Sequence, residues 1–462
     1  MRTRAERRVV ARYRWDRLKV SFWFAPLVMS LGAILLAWVL YSVDERVPNE
    51  ALQDSRFVLS GTPGEMRSAL LNMAGTVLAT AGVVFTLLTL PLSTVAAQYG
   101  SRLLRVFLGD RTTQFVLGMF VGTFVYCIAG ALSIPSVTKQ PEGPQLTATV
   151  AVYLMLATFA TLILLVQHIS TMLQAPNIAA AAAAELREVI SADISGVTGS
   201  NDGKGGIDGE GEFDGEAGLD GEGSETRPYP VRARRTGYVQ YVDPDILRTL
   251  AEEKNLVIRL LHKPGRHVRS GAVLALVVAG QPGAPAGRVD EQAGNLMRRA
   301  FQIGNGRTPT QDLEYAVNQL AEMAVRAMSP AINDPFTAMT CLDHMGDGLV
   351  MFLQRGERGS HYYDRSGKLR LVLEPVTFGE LLGAAFDMLR HASCDNASVL
   401  LHMLEVIDAI GREAQAPEAR RLLLRHVSLI QAESEAGDLI EQDRQTIQLS
   451  RQALQAKLEG AT

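Results

Sequence analysis

The stretch ALLNMAGTVLATAGVVFTLLTLPLSTVAA, residues 69–97, runs for 29 residues without one Asp, Glu, Lys or Arg. An α-helix needs roughly 20 apolar residues to cross a hydrocarbon core, so this stretch is long enough to span a bilayer. A buried helix of a soluble protein is usually shorter, and charge breaks its pattern on one face. Three further uncharged runs lie at about residues 21–43, 114–135 and 147–167. Together they make the first third of the chain a four-span membrane domain.

The remainder is of a different kind. The chain has 462 residues, 47% hydrophobic, with a net charge of −4. The membrane part ends near Ser170, which leaves 462 − 170 = 292 residues, enough for two ordinary domains. Basic residues set the expected orientation. Arg2, Arg4, Arg7, Arg8, Arg12, Arg14, Arg17 and Lys19 precede the first span, and Arg102, Arg105 and Arg111 lie between spans two and three. The opposite loops hold only Arg46, Arg56, Arg67 and Lys139, so both termini are expected on the cytoplasmic side of the membrane. The first span is too long for a signal-peptide core and lacks a small-residue cleavage site. Cys127, Cys341 and Cys394 have no CxxC spacing, which predicts neither a zinc site nor a disulfide framework.

The sequence divides into a basic N-terminus (1–20), the membrane domain (21–170), a connecting alanine-rich helix (171–198), an acidic Gly-rich insertion (199–226), a small β-rich module (227–288) and a helical domain (289–462). In the insertion, Asp202, Asp208, Asp214 and Asp220 recur every six residues, each followed by Gly. Carboxylates are Ca²⁺ ligands, but the spacing matches neither an EF-hand nor a nonapeptide β-helix. Such a composition buries too little apolar surface to offset its ordering entropy, so it reads as flexible. In the β-rich module, Tyr238–Val242, Val257–Leu261 and Val273–Val278 read as strands, and Asp243-Pro244 as a helix cap. The hairpin around KPGRHVRSG looks like that of biotinyl and lipoyl domains, which implies a barrel-like module. Lys263 stands directly before Pro-Gly, however, and has no modifiable counterpart, so no cofactor is expected there. With His262, Arg266, His267 and Arg269 it forms a basic rim, read either as solvated surface or as a contact for an anion or lipid headgroup.

Farther on, Thr308-Pro309-Thr310-Gln311 reads as a capping box opening a helix that buries Leu313, Ala316, Val317, Leu320, Ala324 and Ala327. That helix ends at Ser329-Pro330, and Asn333-Asp334-Pro335 opens another through about Leu353. A polar hairpin, HYYDRSGK, precedes helices at roughly 377–391, 396–414 and 418–459.

The pattern SP-x-x-NDP-x-TA (Ser329, Pro330, Asn333, Asp334, Pro335, Thr337, Ala338) follows four spans in one chain. In this the sequence resembles the bacterial predicted membrane proteins grouped as domain of unknown function 2254. The resemblance implies four spans followed by a cytoplasmic α+β region, and it implies no activity.

Arg307, Asp312, Asn333 and Asp334 are the candidate polar site, at two helix N-termini whose free N–H groups favour an anion. The alternative is mutual capping that fixes a tight helix–turn–helix. Nothing resembles a nucleophile–base pair, and the eight histidines lack paired ligand spacing, so neither an enzyme nor a metal site is expected. In span two, Asn72, Thr76, Thr80, Thr86, Ser93 and Thr94 are the candidate pore lining, and Gly118 and Gly122 of span three the candidate helix-packing pair. The leading functional expectation is an oligomeric, channel-like or passive transport protein gated by its cytoplasmic domain. The other is a membrane-anchored sensor or scaffold. The expected partners are the lipid bilayer, further copies of the chain and a small anion or ion, with no nucleic acid.

Overall fold

A computed structural model describes residues 23–46, 59, 61–99, 110–134, 144–172, 174–195, 228–279, 291–357, 359–364 and 366–460. The basic N-terminus and the acidic insertion lie outside the described residues. So does most of the loop carrying Arg102 and Arg105. The chain forms two compact units, which divide at Ile178.

The first unit holds α1 (Phe24–Asp44), α2 (Pro63–Tyr99), α3 (Arg111–Ser133) and α4 (Gln145–Met172). Each has a window long and apolar enough to cross a membrane. Half of the α3 window (50%) is buried, against 17% in α1 and 22% in α2 and α4, so α3 is the central helix. It is central because it carries glycine where a neighbour must come close. A Cβ on Gly118 would collide with Met29 Sδ of α1, and one on Gly122 would sit 3.6 Å from the Met29 carbonyl oxygen. Leu70, Phe120, Tyr126 and Leu165 fill the space between the helices.

Several polar groups of this interior are paired across helices. Thr123 and Thr158 share a 2.8 Å hydrogen bond, and the Tyr126 hydroxyl donates to the Thr147 carbonyl at 2.9 Å. Asp44, closing α1, accepts from the backbone N–H groups of Leu146 and Thr147, both at 2.9 Å, and from the Thr147 hydroxyl at 2.7 Å. A carboxylate from one helix thus caps the N-terminus of another, where free N–H groups and the helix dipole favour negative charge.

The second unit begins within α5 (Ala175–Ser195) and continues through two small sheets and a helical layer. Its strands are β1 (Tyr229–Arg232), β2 (Gly237–Val242), β3 (Leu256–Leu260), β4 (His267–Val268), β5 (Val273–Ala279), β6 (Phe301–Gly304), β7 (His361–Tyr363) and β8 (Leu369–Val372). They form a five-stranded sheet, β1-β5-β3-β8-β7, and a three-stranded sheet, β4-β2-β6. All described pairings are antiparallel except β3 with β8. The apolar alternation of Ile258, Val277 and Leu371 from one sheet and Val239 and Ile303 from the other makes one shared core.

Two expectations need correction here. The sheets do not close into a barrel, because the larger one ends in the β7–β8 hairpin instead of pairing back onto β2. The β-rich region also does not end near residue 288, since β6, β7 and β8 all come from the part expected to be helical.

The helices of this unit are α6 (Pro244–Glu253), α7 (Glu291–Arg299), α8 (Leu313–Ala327), α9 (Pro335–Arg355), α10 (Phe378–Ala392), α11 (Ala397–Glu413), α12 (Pro417–Ala436) and α13 (Glu441–Gly460). Their starts are specified locally. Asp243 caps α6, Asn396 caps α11, and Thr377 with Glu380 forms a reciprocal capping box on α10. The long helix expected at 418–459 is two helices. Gly437 ends α12 against the Cys394 carbonyl, where any side chain would collide, and Asp395 binds the next backbone N–H at 2.6 Å.

Candidate functional site

The four residues expected to converge lie in two separate places. Asp312 is the N-cap of α8, accepting from the Tyr315 N–H at 3.0 Å, and Arg307 grips the same carboxylate through two bonds of 2.7 and 2.8 Å. That hydrogen bond, opposed by burial and aided by the charges of Asp312 and Glu314, raises the Arg307 pKa above its ordinary value. Asp334 is the N-cap of α9, accepting from the Thr337 N–H at 3.1 Å and from its hydroxyl at 2.5 Å. Asn333 precedes it in the left-handed region, φ +48°, which Asn tolerates better than most residues. The two pairs sit at opposite ends of α8, and 15 residues of helix separate them by about 22 Å. Each pair therefore builds a helix start, and no shared anion site results.

The start of α8 also falls later than expected. Thr308 to Gln311 form a turn, with the Gln311 amide bonded to both the N–H and the carbonyl of Val242, at 2.9 and 3.0 Å. Gln311 is used to pin β2, so it cannot close a capping box.

A cavity of about 110 Å³ lies between the sheets and the C-terminal end of α9. Its walls are mainly apolar, with Leu247, Leu260, Leu313, Phe352, Leu371 and Leu373 among them, and Lys263 and Arg355 are its cationic lining residues. This is the usual composition of a small-ligand site: an apolar wall with a few fixed polar groups.

Lys263 follows β3 on a turn whose geometry is fixed. Gly265 has φ +91°, its N–H donates to the Val239 carbonyl at 2.8 Å, and its bare Cα face lies against the Asp312 carboxylate. Only glycine fits both conditions. Held by this turn, Lys263 is 7% exposed, with Nζ 2.5 Å from Glu380 Oε1 and 3.9 Å from Glu374. Burial works against the Glu380 charge, but the Lys263 bond, the Thr377 backbone N–H and the Arg266 charge hold its pKa below the ordinary value. Arg355, in the last turn of α9, lines the cavity and donates to the Ile190 carbonyl of α5 at 2.8 Å.

The basic rim expected from the sequence is thus split. Arg266, His267 and Arg269 are exposed, whereas Lys263 turns inward. Arg355 and Glu380 went unnoticed in the sequence. The Thr377-x-x-Glu380 spacing was the available signal for the second.

In the first unit, Asn72, Thr76, Thr86 and Ser93 are exposed on α2 and Thr80 is half-buried; the side chain of Thr94 lies outside the described residues. The hydroxyls of Thr76, Thr80 and Thr86 donate to carbonyls one turn back on their own helix, at 2.9, 2.9 and 3.0 Å. This stripe faces away from the unit's packed interior. Gly118 and Gly122 do serve helix packing, but against α1 of the same protomer, so that face is not free for a second copy.

Four membrane-length helices followed by a mixed α+β unit define a multi-pass membrane protein. The chain belongs to the predicted membrane protein family DUF2254, whose model matches residues 19–409. Uncharacterized proteins of Mycobacterium bovis and Mycobacterium tuberculosis are 26% identical to it over 398 residues, covering 84% of this chain and 72% of theirs. No solved structure matches the chain.

Proposed function

We propose that this is a membrane-anchored sensor whose cytoplasmic unit takes a small ligand in the cavity beside Lys263. The observation that carries this reading is the double role of Arg355, which lines the cavity and also holds the Ile190 carbonyl of α5. In sequence, α5 follows the last membrane helix after two residues, so a ligand that moves Arg355 acts on the segment leading from the membrane. Screening small carboxylates, amines, alcohols and sugars against the full chain in nanodiscs, by thermal unfolding, tests the binding step. Hydrogen exchange across residues 179–191 tests the coupling. We expect one class to raise the melting temperature and slow exchange in α5, with the second effect lost in Arg355→Met. Absence of any stabilising class, or unchanged α5 protection in Arg355→Met, refutes the reading.

The second reading is an oligomeric, channel-like protein, and the outward polar stripe of α2 favours it. Buried Phe120 and Tyr126 occupy the protomer interior, so any path runs between copies along Asn72, Thr76 and Thr86. Cysteines at Thr76 and Thr86 that react with water-soluble thiol reagents and alter ion flux in liposomes support it. A monomeric protein in tight liposomes rejects it.

A further inference from the structure

The chemistry of the cavity narrows its ligand, given the sensor reading on which this step rests. We infer that it takes a small aliphatic monocarboxylate, with the ligand's charge on Lys263 and its chain against Leu247, Leu371 and Leu373.

Size sets the first limit. An engineered apolar cavity of about 150 Å³ accepts the six carbons of benzene, so in proportion about 110 Å³ suits an aliphatic tail of roughly four to five carbons, with the carboxylate beyond it on Lys263.

Charge sets the second. The cavity is lined by the cations Lys263 and Arg355 and by one acid, Glu374, and Glu380, outside the lining, is the acid bonded to Lys263. Both acids are far wetter than the lysine: their side chains are 34% and 56% exposed, against 6%. A buried ammonium whose acid partners are partly solvated can take a further anion, because water receives the charge of the partner it releases. An amine ligand would meet repulsion from Lys263. A phosphate dianion would bring a second charge into an apolar pocket with too few donors to receive it.

Glu380 is built to yield. Its Oε1 holds Lys263, while its Oε2 accepts from the Thr377 N–H at 3.0 Å. It can release the lysine to a ligand carboxylate and still cap α10. Glu380 is therefore the counter-ion with which the ligand competes, and the site exchanges one carboxylate for another at constant charge on Lys263.

Hexanoate is the probe, with hexanol and hexylamine as equal-length controls and empty nanodiscs correcting for partition into lipid. Calorimetric titration of the full chain in nanodiscs should show hexanoate binding at least about tenfold tighter than either control, as expected for a charge-assisted bond. Lys263→Met should remove that preference. Glu380→Gln keeps the capping geometry, because Gln also serves at that position of a capping box, and should tighten hexanoate binding several-fold by removing the competitor. A purely structural lysine predicts no gain in Glu380→Gln. Leu373→Trp, which puts an indole into the cavity from one wall, should abolish binding of all three probes. Equal binding of hexanol and hexanoate, unchanged by Lys263→Met and Glu380→Gln but lost in Leu373→Trp, overturns the carboxylate assignment and leaves the sensor reading standing. No binding by any probe overturns both.

Discussion

Replacing Asp312 tests whether the N-terminus of α8 is held by one multiply bonded carboxylate. The side chain is 3% exposed, accepts from the Tyr315 N–H and receives two bonds from Arg307. Loss of an N-cap costs about 0.5–2 kcal/mol. Asp312→Ala also leaves Arg307 without its main partner. The arginine side chain is 23% exposed and Glu314 lies 3.6 Å away, so water and a second carboxylate relieve part of that loss. A further ~1 kcal/mol is reasonable, well under the full cost of stranding a buried charge. The expected total is about 2–3 kcal/mol for Ala. Asp312→Asn keeps an acceptor for the Tyr315 N–H and loses only the charge, so it should cost about 1 kcal/mol. Thermal unfolding of the full chain in nanodiscs reads the overall effect, and hydrogen exchange over residues 313–327 localises it. Arg307→Met should gain little further loss when added to Asp312→Ala, since the two changes remove one interaction. Refutation would be an Asn variant no better than Ala, or an Ala variant whose α8 amides exchange like the parent's.

Asp334→Ala should cost about 1 kcal/mol and be rescued by Asn, read by the same melts, because Asp334 acts as an N-cap bonded to the N–H and hydroxyl of Thr337. His426 is buried, and burial first, then Arg390 and Arg425 against the opposing pull of Asp387, lowers its pKa. The folded state therefore resists protonation that the unfolded state accepts below about pH 6.5, so stability should fall as pH drops through and below that value. His426→Gln should flatten the part of a pH–melting curve between pH 7 and 5. Gly122→Leu should lower the melting temperature by forcing α1 from α3, while the association state seen by light scattering stays that of the parent. Lys263→Met without ligand should change stability by less than about 1 kcal/mol, measured by the same unfolding.

The fold was legible wherever a local rule fixes it. Spans follow from uncharged length, and β2, β3 and β5 appear within a residue of the alternating runs that announced them. The order of strands was not legible, since β8 joins β3 from more than 100 residues away and pairs over only two positions. Local competition caused the other misses. Gln311 had the right spacing for a capping box, but the free backbone of Val242 took its amide. The break at Gly437 follows from contact with Cys394, which no helical periodicity encodes. At the candidate polar site the sequence named real helix caps. Convergence failed because α8 itself is the spacer between them. Gly118 and Gly122 were read as a helix-packing pair without a named partner, because small-residue spacing announces a close approach and says nothing of which helix makes it.

The burial of Lys263 escaped for a related reason: a lysine in a basic run reads as part of an exposed rim, and only the Gly265 turn sends it inward. Its position then bears on function through energetics. Burying an ammonium costs several kcal/mol, and a bond to a partly exposed carboxylate returns about that much. An apolar side chain of similar length would fill the same space without either term. The Lys263–Glu380 pair is therefore a poor stabiliser of this fold, unlike the Arg370–Asp364 pair. There the arginine also bonds Asn255, and both side chains are at least 90% buried, so the pair ties the β7–β8 hairpin to the end of α6. Lys263 instead bonds a partly exposed acid and lines a mainly apolar cavity. A lysine whose removal is nearly neutral in the empty protein but decisive when hexanoate is present is a ligand group. If its removal costs 3 kcal/mol or more, on the order of a broken buried pair, it is a strut and the sensor reading loses its anchor.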